Sequence, residues 1–204
     1  MKTASRILGT AFFLEGYEVQ DAPRYGAERR GAPIFAYVRA DKAPINERGI
    51  IRHPDLVIVA DDSLVPVPAA GVLDGITEDT VMLINSAETE EVWKSRLNHS
   101  GAIQILPVTE EVTERAELPY VGAACAGAAA CLTGVISETV LKQAIDSELA
   151  ELGTDIVKKN LQKALDAYQA MAPHSGKVEE GSLVSADGYQ LPDWIDLPFD
   201  DSRI

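Results

Sequence analysis

The sequence of 204 residues has only two cysteines and three histidines. Cys125 and Cys131 stand six positions apart on a predicted helix, where their side chains would point about 240° from each other and could not bridge within it. No CxxC pair occurs, and the histidines at positions 53, 99 and 174 are widely separated. We therefore expect two buried thiols and no metal site, and an iron-sulfur cluster held by this chain alone is excluded.

Positive charge and long apolar runs are also scarce. The 18 basic residues face 32 acidic ones, for a net charge of −14, which argues against general binding to nucleic acid or to an anionic membrane. The longest nearly uncharged run, 120–136, falls short of the roughly 20 apolar residues that a membrane span needs. The first residues lack the pattern of a signal peptide. We expect a cytoplasmic protein without a membrane-spanning helix.

The remaining composition is that of a globular chain, with 46% apolar and 25% charged residues. Its length predicts one folded domain, which we place at 1–173. Residues 174–204 are acidic and irregular, yet they carry the isolated apolar residues Trp194, Ile195, Leu197 and Phe199. We interpret this C-terminal segment as a strap that docks on this chain or a partner, or as a linker.

Hydrophobic periodicity predicts an α/β protein. Apolar residues at 4, 7, 8, 11 and 12 mark one face of a first helix, which Gly16 would end. Three continuous apolar runs predict strands of a mostly parallel, Rossmann-like sheet at 56–60, 81–84 and 103–106. Shorter strands are expected at 17–20 and 34–39, and further helices at 90–97, 121–132, 137–146 and 156–171. The expected architecture is a three-layer α/β/α sandwich with an irregular C-terminal tail.

One stretch breaks this patterning, and we call it the arginine loop, residues 21–33. It gathers three arginines, a tyrosine and two glycines between two predicted strands. Guanidinium groups bind phosphate or carboxylate, and glycine lets the backbone approach a ligand closely. The alternative is a solvated turn in which Glu28 neutralises one arginine.

The arginine loop also carries a resemblance. Residues 23–33, PRYGAERRGAP, followed by FAYVR at 35–39, resemble the signature of the gamma subunit of 2-oxoacid:ferredoxin oxidoreductases, the pyruvate synthase family. The resemblance covers roughly residues 1–171. In that family a strand and a glycine-rich phosphate-binding turn precede the first helix, and here Met1 stands at their end, so we interpret both as missing.

The resemblance implies a reaction as well as a fold. Such enzymes decarboxylate a 2-oxoacid oxidatively, pass the electrons to ferredoxin and transfer the acyl group to coenzyme A. The chain contains no GDG…N stretch for thiamine and no cysteines for a cluster. Thiamine diphosphate, Mg and the iron-sulfur clusters are therefore expected on partner subunits of alpha, beta and delta type, so that this chain is not catalytic alone and has no catalytic residue of its own.

The resemblance further implies that the gamma subunit helps to position coenzyme A and to assemble the complex. Lys2 and Thr3 would meet phosphate at the positive end of the first helix. In the arginine loop, Arg29 and Arg30 would add positive charge, and Gly26 and Gly31 would let the backbone approach the ligand closely. Tyr25 would stack on the ligand, and Glu28 would orient the arginines.

Two other functions stay open on the residues themselves. A stand-alone nucleotide-binding or phosphate-binding module would use the same helix end and loop, although no GxGxxG or Walker pattern supports it. A purely structural subunit would bind no ligand at all. The absence of a GxSxG motif speaks against an independent hydrolase.

Overall fold

The computed structural model describes residues 2–24, 35–97, 99–108 and 121–179. Within these ranges the chain forms five α-helices and five strands. The helices are α1 Lys2–Leu14, α2 Glu90–Leu97, α3 Val121–Thr133, α4 Glu138–Leu149 and α5 Thr154–Ala170. The strands are β1 Glu18–Arg24, β2 Phe35–Asp41, β3 Leu56–Val59, β4 Val81–Ile84 and β5 Ile103–Ile105.

The three apolar runs form one parallel sheet in the order β3-β4-β5. Side chains alternate between its two faces, as the period of two in a strand requires. Val81 and Leu83 face the cluster that includes α3, whereas Met82 and Ile84 face Trp93 of α2. Helices therefore cover both faces of this sheet, and the expected layered α/β architecture is confirmed.

The strands β1 and β2 form a separate antiparallel hairpin that packs against α1. Glu18 pairs with Asp41 at one end and Arg24 with Phe35 at the other. The first strand is longer than predicted, because it continues through the opening residues of the arginine loop, 21–24. Cross-strand hydrogen bonds to a regular partner strand override the turn-forming composition there.

Helix α3 owes its position to small residues. Ten of its residues, from Ala123 to Leu132, are buried, and they share a core with sheet residues such as Leu83. On its other side α3 meets α5 so closely that a Cβ on Gly127 would lie 1.9 Å from the carbonyl oxygen of Ala164. The prediction of a core helix against the sheet holds, with α5 as a second partner.

Local signals read from the sequence explain several element ends. Gly16 adopts φ 80° two residues beyond the last residue of α1, as the predicted helix stop requires. Ser137 caps α4, accepting a hydrogen bond from the N–H of Val140 at 3.3 Å. Its own N–H and hydroxyl both donate to Oε1 of Glu15, at 2.9 and 3.0 Å, so the end of α1 is tied to the start of α4.

Beyond residue 173 the chain turns back onto α3. The N–H of Gly176 donates to the carbonyl of Cys131 at 3.2 Å, and that of Val178 donates to Leu132 at 3.0 Å. The domain boundary expected at 173 stays a prediction, and the described chain beyond it still packs on the core as far as Val178. Residues 180–204, with the four apolar residues of the expected strap, lie outside the described residues.

Candidate functional site

Strand β1 of the hairpin runs antiparallel to α1, as its contacts with the helix show. The ring of Tyr17, just before β1, packs edge-on against that of Phe12, with centroids 5.5 Å apart. Further along the strand, a Cβ on Gly9 would lie 3.6 Å from the Cβ of Asp21. As β1 advances, its contact on α1 thus moves back toward the first residue of the helix.

This direction brings the last residue of β1, Arg24, toward the amino end of α1. With a rise of about 1.5 Å per residue, the helix spans about 10 Å from Gly9 back to Lys2. With a rise of about 3.3 Å per residue, β1 covers about the same distance from Asp21 to Arg24. The paired ends of the hairpin, Arg24 and Phe35, therefore lie level with the first turn of α1.

Helix α3 begins at the same place. A Cβ on Gly122 would lie 3.3 Å from the Cβ of Thr3 and 3.7 Å from the backbone nitrogen of Ala4. Neither helix has an acidic residue in its first turn. Two amino-terminal helix ends, each with N–H groups that lack intrahelical partners, thus lie side by side at this end of the domain.

The residues predicted from the sequence divide into two groups. Lys2 and Thr3 are exposed in the first turn of α1, and Thr3 lies against Gly122. The other six predicted site residues lie outside the described residues, on the segment that joins β1 to β2: Tyr25, Gly26, Glu28, Arg29, Arg30 and Gly31. Their assignment stays a prediction, although both ends of their segment are fixed by the hairpin.

Sequence reasoning missed the start of α3 as part of this site. The signal was available, since Gly122 opens a run of small residues that lets helices approach closely. Sequence reasoning also gave no role to Arg39, which lies on β2, within the residues 35–39 that carry part of the family resemblance. Its Nη1 donates to the carbonyl of Gly49 at 3.0 Å and lies 3.4 Å from Oε1 of Gln20, and its Nε is 3.8 Å from Glu47. Arg39 therefore fixes the loop after β2 against the hairpin.

A second polar cluster lies at the carboxyl ends of the parallel strands, the usual ligand position in open α/β sheets. Here its groups bind each other. Asn85 donates to the carbonyl of Ala60 at 3.0 Å and accepts from the N–H of Val108 at 2.9 Å. Ser86 donates to Asp62 at 2.6 Å and accepts from Nε1 of Trp93 at 3.1 Å. We assign this cluster a structural role.

The thiols are not placed for metal or redox chemistry. Both are free and buried. Burial raises the pKa of Cys125 to about 12, and burial is also the main cause that raises the pKa of Cys131. A thiol that keeps its proton is a poor metal ligand and nucleophile. No group of three potential metal-ligating side chains occurs within the ranges that the structure describes.

The fold and this helix-end arrangement define an α/β domain of the Rossmann-like class with a potential anion site. Comparison with known proteins narrows the class. The sequence profile of the pyruvate ferredoxin/flavodoxin oxidoreductase family matches residues 1–170. The common gamma subunit of the pyruvate/ketoisovalerate oxidoreductases of Pyrococcus furiosus is 36% identical over 169 residues, covering 82% of this chain and 88% of that one. The chain therefore belongs to this oxidoreductase family, among its gamma-type subunits.

Solved structures agree with this assignment. The pyruvate oxidoreductase subunit PORC of Thermotoga maritima superposes with a TM-score of 0.66 at 25% identity, covering 82% of this chain and 88% of that one. The 2-oxoglutarate:ferredoxin oxidoreductase of Magnetococcus marinus gives a TM-score of 0.58 at 18% identity, covering 83% of this chain and 28% of that one. The second match shows the fold alone. The family resemblance carried by residues 23–39 is confirmed.

Within the described ranges, each helix is too short or too polar to cross a lipid bilayer.

Proposed function

We propose that this chain is the non-thiamine-binding gamma subunit of a 2-oxoacid:ferredoxin oxidoreductase complex and that it helps to position coenzyme A. Alpha, beta and delta-type partner subunits would hold thiamine diphosphate, Mg and the iron-sulfur clusters, and ferredoxin would receive the electrons through the complex. The family assignment supports membership in such a complex, and a cytoplasmic location belongs to the proposal.

One observation carries the proposal for coenzyme A. The amino ends of α1 and α3 adjoin at Thr3 and Gly122, and the strands β1 and β2 pair as far as Arg24 and Phe35, the residues between which Arg29 and Arg30 stand in the sequence. Two helix ends without first-turn acids favour an anion. The Magnetococcus enzyme, 28% of whose chain matches this fold, binds coenzyme A and succinyl-CoA, which is consistent with a ligand of this kind in the complex.

Each proposed contact has a distinct task. The backbone N–H groups of the first turns of α1 and α3, with Lys2, would hold phosphate oxygens. Arg29 and Arg30 would add charge-assisted hydrogen bonds from the other side, oriented by Glu28. Gly26 and Gly31 would let the loop backbone approach, and Tyr25 would stack on the ligand. When bound, coenzyme A supplies the thiol that accepts the acyl group.

The test is the Michaelis constant for coenzyme A of the assembled complex carrying Arg29→Ala or Arg30→Ala. Loss of a charge-assisted contact costs about 1.5–3 kcal/mol, so we expect the constant to rise by roughly one to two orders of magnitude. Lys163→Ala, an exposed lysine on α5, is the matched control and should leave the constant unchanged.

The outcome also separates the alternatives. An unchanged constant in an intact complex refutes the assignment of Arg29 and Arg30 to coenzyme A. Dissociation of the complex by both variants makes the arginine loop an interface and favours the purely structural subunit. Tight binding of coenzyme A or a nucleotide by the isolated chain, without assembly, favours the stand-alone module.

A further inference from the structure

The last turn of α1 exposes two adjacent apolar side chains. Phe13 is 68% exposed and Leu14 is 45% exposed, whereas the other apolar residues of α1 point into the core. An isolated exposed apolar residue is ordinary on a protein surface. Phe13 is different because it also lines a groove.

The groove has a volume of about 260 Å³ and lies between α1, β1 and α4. Gly9 lies in its lining and contributes no side chain to it. The apolar part of the lining comes from Phe13 and Val19, and the polar part comes from Arg6, Thr10, Asp21 and Glu148. The groove is thus an open, mixed cleft with an aromatic ring at its edge.

The charges of the groove sum to −1, since two carboxylates face one guanidinium. Glu148 is only 15% exposed; its Oε1 accepts the hydroxyl of Thr10 at 2.6 Å, and its Oε2 lies 2.8 Å from Nε of Arg6. Asp21 is exposed, and its carboxylate makes no hydrogen bond or ion pair within the described part of the chain. A cation that enters the groove would therefore find Asp21 available.

We propose that this groove and Phe13 form a docking surface for a partner subunit, which inserts an arginine side chain between Asp21 and the ring of Phe13. A guanidinium can pair with a carboxylate and stack on an aromatic face at the same time. The apolar stem of the arginine would cover Val19 and Phe13. This inference rests on the proposed function, since it requires partner subunits.

Charge argues against other occupants. A second copy of this chain would bring another protein of net charge −14, and an isologous contact would place the same acidic groove against itself. A phosphorylated ligand would meet the carboxylates of Asp21 and Glu148. A basic surface of a different chain complements the groove.

The test measures the affinity of this chain for the partner subcomplex by titration calorimetry, with Phe13→Ser and Asp21→Asn as variants. We expect each substitution to weaken association at least tenfold, and Asp21→Asn also to reduce the dependence of affinity on salt. Leu152→Ser and Asp79→Asn are matched controls, because both residues are exposed elsewhere on the surface, and they should bind within about twofold of the wild type.

Binding of the wild-type chain to the subcomplex separates failure of the proposed function from failure of the docking surface. If it does not bind the subcomplex, the proposed function and this docking surface both fail. If it binds and the two variants bind equally well, only the docking surface is refuted. If the isolated chain dimerises and Phe13→Ser abolishes the dimer, the surface binds a second copy and the proposal is overturned. Unchanged thermal unfolding shows that the variants remain folded.

Discussion

At the scale of single residues, burial decides the chemistry of the two thiols. Cys125 and Cys131 lie on α3, where small neighbours let the helix pack closely on every side. Removing a thiolate from water is costly, and this cost raises the pKa of Cys125 from 9.0 to about 12. The same burial that excludes these residues from cluster ligation therefore makes stability depend on pH.

We predict that alkaline pH destabilises the fold through Cys125. Above pH 9 the unfolded chain loses the thiol proton of Cys125 while the folded chain keeps it. Deprotonation therefore stabilises the unfolded state, and the free energy of unfolding falls as pH rises. The free energy of unfolding should drop by up to about 1.4 kcal/mol per pH unit, and by an amount on the order of 4 kcal/mol by pH 12. Urea titrations between pH 8 and 10.5 measure this slope.

The control for this prediction is the pair Cys125→Ala and Cys131→Ala. Cys125→Ala should flatten the dependence on pH, whereas Cys131→Ala keeps the Cys125 contribution. The pKa of Tyr168, whose hydroxyl donates to the carbonyl of Ile136 at 3.0 Å, is also raised mainly by burial. Some slope should therefore persist in both variants. Identical curves for Cys125→Ala and the wild type would contradict the prediction.

The individual site residues show where the sequence is informative. Lys2 and Thr3 could be placed at the start of a helix from the sequence, because the apolar periodicity that defines α1 begins at Ala4. The role of Arg39 could not, since its partners, Gly49 and Glu47, are brought to it by the course of an irregular loop. Local patterns specify elements, but long-range contacts depend on the path of the chain between them.

At the scale of elements, the contact between α3 and α5 depends on one missing side chain. A Cβ on Gly127 would lie 1.9 Å from the carbonyl oxygen of Ala164 and 2.7 Å from its carbonyl carbon. These atoms belong to the backbone of α5 and cannot rotate away. Gly127→Ala can be accommodated only if the two helices move apart.

We expect Gly127→Ala to lower the free energy of unfolding by about 1–3 kcal/mol or more, as overpacking does in other cores. Gly9→Ala is the matched control on α1, because its Cβ would make ordinary contacts at 3.6 Å. Higher helix propensity should make that variant more stable by up to about 1 kcal/mol. Equal stability of the two variants in urea denaturation would mean that the helix contact is looser than described.

The elements themselves were largely predictable from the sequence. Continuous apolar runs predicted β3, β4 and β5, because a parallel strand covered on both faces leaves that pattern. The extent of β1 was underestimated, since Asp21 and Pro23 are typical of turns and only pairing with β2 keeps them extended. The second helix end at Gly122 was missed because its neighbour, Thr3, lies over a hundred residues earlier.

At the scale of the whole molecule, an acidic domain with buried thiols must obtain its redox chemistry from elsewhere. The net charge of −14 favours association with basic surfaces. The family assignment places the chain among subunits of an oxidoreductase. Within the described residues, the adjoining helix ends at Thr3 and Gly122 and the groove beside Phe13 are the features on which the two proposals rest.

We therefore predict that the purified chain alone catalyses no turnover of a 2-oxoacid when thiamine diphosphate, Mg, coenzyme A and ferredoxin are supplied. The physical reason is that the sequence has no thiamine-binding stretch and that its only two cysteines are buried within one helix. Reduction of ferredoxin, followed by absorbance, should begin only when the partner subunits are added. Ferredoxin reduction by the single chain, proportional to its concentration and dependent on the 2-oxoacid, would show that it holds a catalytic centre of its own.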